Sequence, residues 1–313
     1  MRKLLHILFV TALTLFSAVQ IHSQQDYLAS QYNFNSLMLN PAYAGAHPYL
    51  QTSTMYRNQW KVEGAPTTQI ICADGRLKKV PIGLGFTFTS DKIGIVRERV
   101  ISLDASYHFR TGWGKFSFGL RAGHVGYFAA LDELVYWDED DPIYNNGNIK
   151  EGFLTLGFGA FASSNSGKWF GGISIPEHYA RDHTLRSAPE TRFYKRHIYL
   201  YGGGVLTFNN LELKPSVLIR HMETNPMLMD MNLHVSVVDK ESKGLQVWLG
   251  AGVRTNQSFL VSCEANLPNN LRVGYSFDVA GKGLYQNLGA THEIQIGFNF
   301  GGSTTVIQSP RYF

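Results

Sequence analysis

The chain has 313 residues, of which 44% are hydrophobic and only 17% charged, with 31 glycines, 16 tyrosines and 20 phenylalanines. Soluble proteins average about 25% charged residues, and this mixture suits many short strands with aromatic faces and tight turns better than a helical enzyme. The formal net charge of +4 includes Arg2 and Lys3 at the very start. There is no basic run and no nucleic-acid motif, so nucleic acid is not an expected partner.

Residues 1–23 read as a secretory signal peptide. Arg2 and Lys3 form its charged start, and Leu4 to Phe16 is an apolar run too short to span a bilayer as a mature helix. Cleavage after Ser23 would leave Gln24 first; the alternative is an uncleaved anchor helix. No later stretch has about 20 consecutive apolar residues. A membrane form would therefore have to be a closed barrel, since only helices and closed barrels satisfy every backbone polar group inside lipid.

Residues 24–49 lack strand character and are rich in Tyr, Asn and Ala. They are expected to fill a lumen as a plug or to face the periplasm. Proline restricts the residue before it, so Asn40-Pro41 suits a turn, with Pro41 to Gly45 leading into the first strand. This stretch is either a plain turn or part of a plug or docking segment.

From residue 50 to residue 301 the dominant pattern has period two. Ile101, Leu103, Ala105, Tyr107 and Phe109 alternate with Ser102, Asp104, Ser106, His108 and Arg110, which a pleated strand places on opposite faces. Ile82, Leu84, Phe86 and Phe88 alternate with Gly83, Gly85, Thr87 and Thr89, and Phe116, Phe118 and Leu120 with Ser117, Gly119 and Arg121. The pattern recurs around 229–237, 271–278 and 293–300. Alternation alone also fits a soluble sandwich, but many runs are about 10 to 12 residues long, the span of a tilted transmembrane strand. About 14 runs start near residues 50, 67, 80, 98, 115, 152, 168, 195, 210, 227, 244, 257, 270 and 290. An even number suits a bacterial barrel, and so do its connections. Short turns at Lys78-Lys79, Thr111 to Gly114, Asn165 to Gly167, Asn209-Asn210 and Pro268-Asn269 alternate with longer ones near 128–150, 176–194 and 280–289. The connection near 239–243 breaks this alternation. The expected fold is all-β, a transmembrane antiparallel outer-membrane β-barrel of about 14 strands, preceded by a non-strand segment and followed by a periplasmic tail at 302–313.

Charges of both signs fall on the polar phase: Arg57, Asp104, Arg121, Glu151, Arg220, Asp230, Arg254, Glu264, Arg272, Asp278 and Glu293. The mixture predicts a salt-bridged, filled lumen over a single-sign ion filter. Trp60, Trp113, Tyr127, Trp169, Tyr194 and Tyr285 sit near strand ends, as an interfacial girdle would, or as ordinary packing. The acidic run Asp138 to Asp141 lacks the spaced ligands of a calcium loop and reads as solvated, with weak calcium binding or cargo contact as alternatives. Cys72 and Cys263 are far apart and read as unpaired thiols. The 11 histidines are scattered, and no H-E-x-x-H, G-x-S-x-G or phosphate-loop motif occurs. No catalytic, cofactor-binding or metal-binding residue is expected.

Several short motifs occur in succession: Gln31-Tyr32-Asn33-Phe34-Asn35, then Leu39-Asn40-Pro41-Ala42-Tyr43-Ala44-Gly45, then Tyr56-Arg57-Asn58-Gln59-Trp60, then Gly64-Ala65-Pro66-Thr67-Thr68-Gln69, with Pro310-Arg311-Tyr312-Phe313 at the end. In kind, order and spacing this series resembles the PorP/SprF family of the type IX secretion system of Bacteroidota. The resemblance covers about residues 25 to 313. It implies a non-catalytic outer-membrane component of protein secretion, exporting gliding and adhesin proteins. It also implies partners among the periplasmic ring proteins, with a large secreted adhesin or its C-terminal sorting domain as a further candidate, and outer-membrane lipid. Plug or partner candidates are Asn40, Pro41, Tyr43, Gly45, Arg57, Trp60, Pro310, Arg311, Tyr312 and Phe313. The tail is expected to contact the secretion machine in the periplasm. The competing readings are a passive porin of small solutes and, more remotely, a soluble sandwich adhesin.

Overall fold

The computed structural model describes residues 29–133, 147–180, 184–185, 188–192, 197–208, 211–222, 225–237, 245–255, 258–280 and 289–301. The strands are β1 (Leu50–Asn58), β2 (Thr67–Arg76), β3 (Ile82–Ile93), β4 (Val96–Arg110), β5 (Gly114–Ala129), β6 (Ile149–Ser164), β7 (Trp169–Ala180), β8 (Thr184–Leu185) and β9 (Ala188–Arg192). They continue with β10 (His197–Gly204), β11 (Leu206–Phe208), β12 (Leu211–Met222), β13 (Asn225–Val237), β14 (Gln246–Arg254), β15 (Ser258–Asn266), β16 (Leu271–Ala280) and β17 (Thr291–Phe300).

Every pairing is antiparallel. β1 pairs with β2 on one side and with β17 on the other. β10 pairs with both β7 and β12, so the sheet closes on itself. Fourteen strands form the ring, and the short β11 extends the line of β10 along β12 beyond Val205. The fourteen starts expected from the periodicity lie within about three residues of the observed ones. The isolated β8–β9 hairpin carries no period-two signal and was not anticipated.

The burial pattern is inverted relative to a soluble sheet. Leu103, Leu120 and Leu154 are 63%, 69% and 71% exposed, while Asp104, Arg121 and Thr155 beside them are 3%, 4% and 1% exposed. A sandwich would bury the leucines and expose the charges. Here the apolar face wraps the outside of a closed ring, far more apolar surface than a monomer in water tolerates, and closure pairs the sheet edges as lipid requires. The soluble-sandwich reading is therefore set aside.

The barrel has two unlike ends. At one end the connections 77–81, 111–113, 165–168 and 267–270 are short, and Leu50 opposite Phe300 puts both ends of the barrel segment there. This is called the turn end. The opposite, long-loop end carries 59–66, 130–148 and 281–290. Trp113 and Trp169 stack at the turn end with centroids 6.4 Å apart, and Phe116 meets Trp113 edge-on at 4.7 Å. That is the aromatic belt a barrel places at a membrane interface. Of the other girdle candidates, Trp60 and Tyr127 are half-buried at the long-loop end; Tyr194 and Tyr285 lie outside the described residues, as do residues 1–28, the acidic run and the tail at 302–313.

Candidate functional site in the barrel lumen

The segment that precedes β1 runs through the inside of the barrel. Residues 29–45 are buried apart from a half-exposed Ala46 beyond them. They form a 3-10 turn (Tyr32–Asn35), one α-helical turn (Ser36–Leu39) and a second 3-10 turn (Pro41–Tyr43). Asn40 is extended, with ψ 116, as a residue before proline should be. Its side chain accepts the Ala42 N–H at 2.9 Å and so caps the turn that Pro41 opens.

The segment begins near the long-loop end, inside a ring of charges. Arg57 Nη2 lies 3.0 Å from Asp278 and Nη1 lies 3.0 Å from Glu293. Arg254 reaches Asp230 at 2.7 Å and Asp278 at 3.7 Å, and Arg220 reaches Asp230 at 2.7 Å. Three arginines thus face three carboxylates. Ser30 is tied into this ring: its hydroxyl donates to Asp278 and accepts from Arg57 Nη1 at 2.6 Å, while its N–H and that of Gln31 donate to Glu293 at 2.8 and 3.0 Å.

Lower in the lumen, side chains of the wall satisfy the segment's own carbonyls. Arg272 donates to Phe34 O at 2.6 Å and lies 3.9 Å over its ring. Arg121 forms a fork with Asp104 at 2.7 and 3.1 Å and also donates to Leu37 O at 2.7 Å, one of the carbonyls a short helix leaves unpaired at its end. The hydroxyls of Ser174, Ser117 and Ser106 donate to Leu39 O, Ala42 O and Ala44 O, each at 2.6 Å. Asn40 Nδ2 donates to Ala160 O at 2.9 Å. At the turn end Asp74 accepts the Gly45 N–H and Arg76 donates to Gly45 O, both at 2.9 Å. Charge-assisted bonds of this kind are about twice as strong as neutral ones.

Close approach is possible because the wall is thin where the segment passes. A Cβ on Gly119 would lie 2.2 Å from Ala42 N, and one on Gly83 would lie 2.0 Å from Ala44 O. An apolar core fills the remaining space. Tyr43 meets Phe161 edge-on at 5.7 Å, Phe161 stacks on Tyr201 at 6.3 Å, and Leu37, Met38, Leu39, Met55 and Leu218 join them.

Of the candidates drawn from the motifs, Asn40, Pro41, Tyr43 and Gly45 all lie in the lumen and Arg57 joins the ring that holds Ser30. Trp60 stands apart from them in the connection after β1, with φ 67. Pro310, Arg311, Tyr312 and Phe313 lie outside the described residues. Of the charges expected inside, Glu151 is half-exposed at the long-loop end and the others are buried. The contacts missed in the sequence are the carbonyl donors Ser106, Ser117 and Ser174 and the inward glycines. Their sole sequence signal was their place on the polar phase. Among the described residues no three His, Cys, Asp or Glu side chains gather as they would around a metal ion.

A family model described as type IX secretion system membrane protein PorP/SprF matches residues 21–298. No curated protein matches the chain. Similar solved structures include a Pseudomonas aeruginosa FadL homologue, 10% identical over 86% of this chain and 94% of that one, with a TM-score of 0.47. The CymD monoaromatic hydrocarbon channel is 11% identical over 89% of this chain and 94% of that one, also with a TM-score of 0.47. The KdgM porin is 8% identical over 80% of this chain and 99% of that one, with a TM-score of 0.39.

Proposed function

The chain belongs to the PorP/SprF family of type IX secretion system membrane proteins, and from that premise we propose that it works as a closed, non-catalytic platform in the outer membrane. The observation that carries this reading is the buried segment 29–45, bonded to the wall from Ser30 near the long-loop end to Gly45 at the turn end. A lumen packed with tyrosines and phenylalanines and closed by paired charges opposes the porin reading, which needs a continuous watery path.

A platform acts through its ends. By the rule that bacterial barrels keep their short turns inside, the turn end faces the periplasm. Lys78, Lys79, Arg110, Lys115 and Lys168 are exposed there, on neighbouring turns. This basic face suits an acidic surface on a periplasmic ring protein or on the C-terminal domain of a cargo, by complementary charge. β17 ends with Phe300 at the same end, and the tail at 302–313 that follows it in sequence would add to that contact.

Two measurements test the proposal. In planar bilayers the purified barrel should show no steady conductance, and stable open channels would return the porin reading. Affinity purification from solubilised outer membrane should recover ring proteins or a large adhesin. The variant carrying Lys78→Glu, Lys79→Glu, Lys115→Glu and Lys168→Glu should lose them; equal recovery by that variant would refute docking through this face.

A further inference from the structure

Among the described residues, the lysines and arginines on the outward face of the ring strands gather in one sector of the long-loop end. There Lys92, Arg97, Arg99 and Lys150 are all exposed. Register places them together. Lys92 on β3 is directly opposite Arg97 on β4, Arg97 is opposite Phe128 on β5, and Phe128 is opposite Lys150 on β6. Arg99 lies one step down the same face of β4, opposite Ser90 and Gly126. Neighbouring strands are about 4.8 Å apart, so the four cations fall within an area about the size of one lipid headgroup.

This arrangement is costly in isolation. Like charges directly opposite on neighbouring strands repel, as Lys92 and Arg97 must. None of the four has an ion-pair partner among the described residues. The carboxylates in the same strands, Asp91, Glu98 and Glu151, occupy the inward phase, and Asp91 takes the Thr68 hydroxyl. Elsewhere at this end, the ring strands turn no lysine or arginine outward among the described residues. Directly below the patch lies a mostly apolar wall: Ile101, Leu103, Leu154 and Leu156 are 48%, 63%, 71% and 55% exposed, with the exposed His124 between Ile101 and Leu154.

We infer that this sector binds a phosphorylated lipid of the surrounding leaflet, with its phosphates on Lys92, Arg97, Arg99 and Lys150 and its acyl chains on the leucine wall beneath. Cationic clusters at a membrane surface attract anionic headgroups in this way, and arginine suits phosphate through paired hydrogen bonds. Because the longer loops of bacterial barrels lie outside, the leaflet is the outer one. The occupant fits both parts of the site, which neither a free ion nor a protein chain in water would do. The inference is independent of any role in secretion.

The full-length protein, purified in mild detergent, is titrated with a diphosphorylated lipid A and with the same lipid lacking its phosphates, and bound lipid is counted by native mass spectrometry. The native chain should bind the phosphorylated lipid at least tenfold more tightly than the dephosphorylated one. The variant K92Q/R97Q/R99Q/K150Q should lose that preference, while K78Q/K79Q/K115Q/K168Q at the opposite end should keep it. Heat-dependent gel mobility verifies that each barrel is folded; if the fourfold variant fails this check, R97Q/R99Q decides, with a loss of at least threefold. Equal binding by native and variant barrels overturns the inference. So does displacement of the lipid by millimolar inorganic phosphate, which would mark a simple ion site. A native chain that binds nothing until D138N/E139Q/D140N/D141N is introduced overturns it too, because the acidic loop would then be the patch's own counter-charge.

Discussion

Replacing Arg57 with methionine tests the idea that the lumen charges hold the N-terminal segment in place. Arg57 is 2% exposed and Glu293 is fully buried. The change removes two ion pairs of 3.0 Å and the bond to the Ser30 hydroxyl. Breaking a buried pair from one side costs about 3 to 5 kcal/mol. The lower figure applies here because neither carboxylate is left bare. Glu293 keeps the Ser30 and Gln31 N–H groups and the Gln295 amide, and Asp278 keeps the Ser30 hydroxyl and Arg254 at 3.7 Å. With a urea dependence of about 3 kcal/mol per molar for a chain of this size, a loss of about 3 kcal/mol lowers the unfolding midpoint by about 1 M. The assay is urea unfolding of the detergent-solubilised barrel, followed by tryptophan fluorescence and by gel mobility. The double variant Arg57→Met with Glu293→Gln should be less destabilised than the two single losses added together, since residues in one network couple. A midpoint shift below about 0.3 M, or strict additivity in the double variant, would refute the reasoning.

Three further outcomes are expected. Gly119→Leu would put a side chain where the Ala42 backbone lies, 2.2 Å from the first added atom, so residues 29–49 should become cleavable in limited proteolysis while the native segment resists. Replacing Ser106, Ser117 and Ser174 together by alanine removes three hydroxyl bonds to segment carbonyls; at about 1 kcal/mol each the total loss is about 3 kcal/mol, and unfolding at the native midpoint would contradict it. Leu154→Arg places a charge on the lipid face at a side chain that is 71% exposed; it should cost about 2 to 4 kcal/mol if it sits at mid-membrane depth, measured by folding into lipid vesicles, and a neutral result would argue against the apolar face as the lipid face.

The fold was legible because a barrel strand writes its two environments into alternate residues. Ile101 to Arg110 shows lipid and lumen as plainly in sequence as in space, and strand starts followed from such runs. Turn and loop lengths gave the alternation of the two ends. The pattern weakened where an environment was not two-sided: β8 and β9 stand apart from the ring, and β10 breaks at Val205 before β11. The candidate site was only half legible. Asn40, Pro41, Tyr43 and Gly45 stood out as motif residues, and Arg57 as a charge on the polar phase. Their sequence neighbours do not say what they touch.

Length, hydrophobic alternation and the parity of the runs, all local and repetitive properties, determined that this chain is a barrel of about fourteen strands with mixed charges inside. What the tertiary structure alone decided is the fate of residues 29–45. Arg57 meets a carboxylate 236 residues away, Ser30 meets one 248 residues away, and the Ser106 hydroxyl reaches back 62 residues to Ala44. Such pairings depend on closure of the ring and on the depth of each inward side chain, and no periodicity in a single strand encodes either. The physical reason is that a strand's faces are set by its own neighbours, whereas the contents of a lumen are set by every strand at once.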